Sequence, residues 1–110
     1  MFAGSLASAD IVSDICRYGT SSPSFDGVLH SLRDLQSSPR VTLSNLGASR
    51  QGRPLPLLIV HDPAVPLAGT VRVFIVARQH GTEASGTVAC LALARHFAKA
   101  RGEEEQTLLR

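Results

Sequence analysis

His80 and Glu83 stand three residues apart, with Gly81 and Thr82 between them. They follow an apolar run and precede a long stretch rich in alanine and leucine. An imidazole nitrogen and a carboxylate oxygen are ordinary zinc ligands, at about 2.0–2.2 Å. The spacing lets both reach one ion from a tight loop, and Gly81 permits the unusual backbone such a loop often needs. The same residues also fit a polar loop, in which Glu83 favours the positive start of a helix and His80 is a surface side chain. Two donors do not make a catalytic centre, which needs three protein ligands and an open position for water. His96 follows Glu83 by thirteen positions on one helical pattern, about 20 Å away at 1.5 Å per residue, too far to share the ion. It reads as a helix-end histidine. His30 lies on an earlier amphipathic pattern, away from strand ends. His61 follows an adjacent strand pattern and is the only local candidate for a third donor; beside Asp62 it also reads as a plain loop histidine. No residue is assigned as a catalytic base.

The elements that must position this loop are legible in order. Residues 71–77 are apolar at almost every position except Arg72, the pattern of an interior strand buried on both faces. Its C-terminal end delivers the loop, where open α/β sheets build their sites. Residues 85–100 form a helix, with Arg95, Lys99 and Arg101 gathered at the end where its dipole favours cations. Gly102 is placed to end it. Upstream, Ser24 is an N-cap and Asp26 favours the helix start. Phe25, Val28, Leu29, Leu32 and Leu35 share one helical face. Ser37-Ser38-Pro39 ends that helix. Residues 41–46 alternate as a half-buried strand and residues 55–60 make a second, with a turn-rich link between them. A link that short predicts antiparallel pairing. Pro54 and Pro56 suit an edge or a strand end. A short helix around Ile11, Val12, Ile15 and Tyr18, capped by Asp10, belongs to a loose N-terminal segment, residues 1–23. Residues 24–110 are the structured part. The run Glu103-Glu104-Glu105 reads as a solvated turn, and Thr107 to Leu109 as the beginning of a further element.

Composition narrows the partners. At 110 residues the chain is one domain at most, and its 44% hydrophobic content argues against disorder. The eleven basic residues are scattered, with no basic run or aromatic–basic platform, so nucleic acid is not an expected partner. No run approaches the roughly 18 apolar residues of a membrane span, so none is expected there either. Residues 1–10 have neither a basic n-region nor a long apolar h-region and do not read as a signal peptide; the compartment is left open. Cys16 and Cys90 could form one disulfide, but nothing resembles a disulfide scaffold and two free thiols are expected, Cys90 as a small hydrophobe on its helix.

Two blocks of sequence carry a resemblance. Arg78-Gln79-His80-Gly81-Thr82-Glu83-Ala84-Ser85-Gly86 resembles the first metal-binding motif of the carboxypeptidase A-type zinc carboxypeptidases, a His-x-x-Glu often written His-Gly-Asn-Glu and followed by Pro or Ala and a Gly. Leu46-Gly47-Ala48-Ser49-Arg50-Gln51-Gly52-Arg53-Pro54-Leu55 resembles that family's Gly-x-Ser-x-x-Gly-Arg turn between its first two strands. The likeness covers residues 24–102, in the order helix, strand, turn, strand, strand, metal loop, helix. It implies an α/β fold, the N-terminal part of a mixed-sheet domain, with about three strands and two to three helices here. It implies one zinc ion with His80 and Glu83 as its first two ligands, a peptide substrate, and hydrolysis of C-terminal residues. Arg53 would support the site indirectly, or serve only as an exposed or structural arginine of the turn. Thr82 stands where pancreatic-type members have Arg and others Asn, which leaves the substrate-binding residues unknown. The family's third ligand and catalytic Glu fall beyond position 110. The chain is therefore expected to be part of a larger domain, inactive by itself, with its uncovered apolar sheet edge free to self-associate. Two other readings stay open: a zinc-dependent deacylase of acylated amino acids on the same fold, and a non-catalytic interaction fragment.

Overall fold

The computed structural model describes residues 23–110; the N-terminal short helix expected from the sequence, and Cys16 with it, lie outside the described residues. Helix α1 (Phe25–Leu35) begins where its cap chemistry dictates. The Ser24 hydroxyl accepts a hydrogen bond from the Gly27 amide at 3.1 Å, and Asp26 sits in the first turn. Leu32 and Leu35 are buried on its inner face. The helix closes with Gln36 N–H donating to Arg33 O and Ser37 N–H to Asp34 O, before Pro39.

Strands β1 (Val41–Ala48) and β2 (Pro54–Val60) pair antiparallel, with Val41 opposite Val60 and Leu43 opposite Leu58. The register breaks between Asn45 and Ala48, where Asn45 Oδ1 accepts from both Gly47 N and Leu55 N at 3.1 Å. The connection is tight: Gly52 N donates to Ser49 O at 2.9 Å and Ser49 N to Arg53 O at 2.8 Å. Gly52 has φ +74, a conformation that favours glycine.

Helix α2 (Ala84–Lys99) packs against α1 and β2. Its last carbonyls are capped from across the chain. Ser38 Oγ donates to Ala98 O at 2.9 Å, and Arg40 Nη1 donates to Phe97 O at 3.2 Å and to Ala100 O. A cation at that end also complements the helix dipole. The core is the seam between these elements: Leu32, Leu35, Val41, Val88, Leu91, Ala92 and Ala100.

Three expectations are corrected. Residues 71–77 are not a buried strand: they pair with nothing in the two-stranded sheet, and Val71 and Phe74 are 93% and 71% exposed. An apolar run signals a wish for burial but supplies no partner, and among the described residues no neighbouring strand flanks it. The described sheet therefore has two strands, not about three. Glu103-Glu104-Glu105 is not a turn but the first turn of helix α3 (Glu103–Leu108), where three carboxylates face the positive end of the dipole. Thr107 belongs to that helix as well, its hydroxyl donating to Glu103 O at 2.8 Å. Gly102 does not terminate α2, which stops at Lys99 with Ala100 as its cap; it is the N-cap of α3 in extended backbone. The result is a small α/β arrangement, a two-stranded antiparallel sheet packed with helices. No helix among the described residues is long and apolar enough to cross a membrane.

Candidate metal site

The segment 71–77 runs into a sharp reversal before α2. Glu83 N–H donates to His80 O at 3.1 Å, closing the turn, and Glu83 becomes the N-cap residue of α2. Its side chain makes no cap hydrogen bond. The carboxylate turns instead to His80, whose Nδ1 lies 3.0 Å from Glu83 Oε2. An ionised carboxylate only accepts, so Nδ1 carries the proton in this pair. Both side chains are open to solvent, 75% and 64% exposed. Thr82 is exposed too.

Two atoms bound to one tetrahedral zinc at about 2.0 Å each stand roughly 3.3 Å apart. The 3.0 Å separation of His80 Nδ1 and Glu83 Oε2 is close to that. The donor types and their spacing thus fit a shared ion, which would take the place of the bridging proton. The fit covers two donors. Among the described residues no group of three or more His, Cys, Asp and Glu side chains is placed to hold a metal.

The other histidines are engaged elsewhere. His61 Nδ1 donates to the Asp62 carbonyl at 3.1 Å, so the one local candidate for a third donor is a loop histidine. His96 Nε2 donates to Glu105 at 3.2 Å, between side chains only 15% and 13% exposed, and ties α3 to α2. His30 faces Asp34 at 3.4 Å on the solvent side of α1. Arg53 lies with its guanidinium 5.3 Å from the centre of the Phe25 ring, joining the hairpin turn to the start of α1 by a cation–π contact rather than touching the loop.

The unusual backbone falls elsewhere than expected. Gly81 does not have positive φ, and a Cβ there would meet nothing within 4 Å. Arg78 carries the strain instead, at φ 58. Its Nε donates to Gly81 O at 3.1 Å and its Nη1 to Pro23 O at 2.8 Å. Sequence reading missed Arg78, since an arginine at a strand end carries no mark of a left-handed backbone. Gly86, in the first turn of α2, brings that helix close to the incoming segment: a Cβ there would sit 3.5 Å from Ala77 Cβ.

Two ionisable groups elsewhere are displaced from their ordinary values. The amide of Ala64 has the largest influence on the Asp62 carboxyl and, against an opposing effect of burial and with lesser help from the Arg110 guanidinium, holds it below the usual range. Burial pushes the Cys90 thiol up.

No curated protein and no solved structure matches the chain. The model of the zinc carboxypeptidase family does match, over residues 28–110. That span takes in most of α1, the hairpin, the His80–Glu83 turn and α2, and by it the chain belongs to the zinc carboxypeptidases.

Proposed function

We propose that His80 and Glu83 are two ligands of the zinc ion of a metallocarboxypeptidase, an enzyme that removes C-terminal residues from peptides. The observation that carries this reading is the 3.0 Å approach of His80 Nδ1 to Glu83 Oε2 on a turn at the head of a helix, inside the span matched by the family. When bound, zinc polarises a carbonyl and lowers the pKa of a coordinated water. The chain's own part is to hold the two donors together. The closed turn fixes their spacing, and the absent side-chain cap leaves the Glu83 carboxylate for the ion. As a ligand, Glu83 is not the base that takes the water's proton.

With two donors among the described residues, this reading expects the 110-residue polypeptide to bind zinc weakly and to show no peptidase activity of its own. Calorimetric titration with zinc tests the ligand assignment. His80→Ala and Glu83→Gln are each expected to abolish the weak site, while His61→Ala leaves it unchanged. Equal zinc binding by His80→Ala and the parent chain would overturn it. Metal-dependent release of C-terminal residues by the 110-residue polypeptide would overturn the inactivity.

A second reading concerns the same chain as a contact surface. It is favoured by the exposure of Val71, Val73, Phe74, Ile75 and Val76, an apolar strip broken only by Arg72 and without a strand partner among the described residues, open to another copy of the chain.

A further inference from the structure

The backbone at Arg78 takes a conformation that glycine adopts freely and L side chains resist: φ is 58. Strain of this kind persists only where the surroundings over-determine it, and it gathers at functional loops. What the strained position gains is the placement of the arginine side chain. Arg78 is half-buried, and its guanidinium reaches in two directions. Nε donates to the carbonyl of Gly81, which lies between the two metal-capable residues, at 3.1 Å. Nη1 donates to the carbonyl of Pro23, 55 positions earlier and next to the N-cap of α1, at 2.8 Å. The planar fork of arginine allows one side chain to make both bonds at fixed angles. The His80–Glu83 turn is also closed by the hydrogen bond that the Glu83 N–H donates to the His80 carbonyl and by the contact between the two donors themselves.

We infer that Arg78 is a positioning residue for the metal loop: it clamps the Gly81 carbonyl to the body of the fold at α1 and so holds His80 and Glu83 in the ligand-ready geometry. It touches neither the ion nor a substrate. The inference rests on the assignment of His80 and Glu83 as zinc ligands.

The choice of variant separates positioning from general stability. Arg78→Gly removes the guanidinium but relieves the backbone, so the fold keeps its thermal midpoint or gains slightly. Zinc affinity of the 110-residue chain should fall about tenfold or more, the scale seen when outer support of a metal ligand is removed. Amide exchange at Glu83 should accelerate, while exchange in the middle of α2 stays as it was. Arg78→Lys keeps the charge without the fork and should fall between the two. His80→Ala, run alongside, tests the ligand assignment separately. Should His80→Ala leave zinc binding unchanged, the ligand assignment fails, and Glu83 exchange in metal-free Arg78→Gly then decides whether Arg78 holds the loop. Unchanged Glu83 exchange overturns the inference, as does unchanged zinc affinity where His80→Ala abolishes it. A loss of zinc affinity matched by a general loss of folding would also overturn it, because the role would then be structural.

Discussion

Asp62 shows how a single residue's surroundings translate into behaviour. Its carboxylate accepts from the Ala64 amide at 3.0 Å and faces Arg110 at 3.5 Å, and its proton affinity is lowered as a result. A carboxyl with a folded-state pKa below its unfolded value contributes stability above the unfolded value, near pH 4, and that stability is lost as pH falls through the lower folded value. In urea titrations from pH 5 down to pH 2, the parent chain should lose more stability than Asp62→Asn, whose amide oxygen still accepts from Ala64. Parallel curves would show that the charge contributes nothing. At this same scale, sequence reading was uneven for physical reasons. The nearness of His80 to Glu83 was legible because it is made within a local turn. Arg78 was not, because one of its partners is the Pro23 carbonyl, far away in sequence, and its left-handed backbone is one that arginine's identity argues against.

Elements were read well where their signals are local. The first helix keeps its anticipated bounds, Phe25–Leu35, since an N-cap hydroxyl and an apolar face at helical spacing are both properties of the segment itself. The hairpin is as expected because a short link leaves little choice but antiparallel pairing. Helix α3 was missed. Its three glutamates look like a solvated turn until their place at a helix start, and the His96–Glu105 bond that docks them, are seen. Long-range support also escaped notice at the other end of α2. There Arg40, just before β1, donates to the carbonyls of Phe97 and Ala100. Removing that donor leaves part-buried carbonyls at a helix C-terminus without their cation. Arg40→Met should therefore lower unfolding stability by about 1–3 kcal/mol. Chemical denaturation monitored by helix signal measures it, and an unchanged midpoint would mean that solvent replaces the guanidinium at no cost.

At the scale of the molecule, few of the described residues are buried, and none of their large side chains is completely enclosed. The most apolar run of the sequence is meanwhile left outside. Val71 and Val73 are 93% and 81% exposed, and the strip they begin leads directly to the His80–Glu83 turn. The described sheet has two strands, and neither of them flanks the strip. Unpaired backbone beside apolar side chains is a template for pairing with another chain, and a small domain has little buried area with which to resist it. Self-association through residues 71–77 follows as the expected behaviour of the 110-residue polypeptide. Sedimentation should show mass rising with concentration, equally with zinc and with a chelator, because the strip and the metal donors are separate features. Replacing Val73 and Ile75 together by lysine should return the chain to a monomer while the far-ultraviolet signature of α1 and α2 is retained. A parent chain that stays monomeric at its highest soluble concentration would remove the strip as a contact surface. Association that persists in the double-lysine variant would move the contact to some other face.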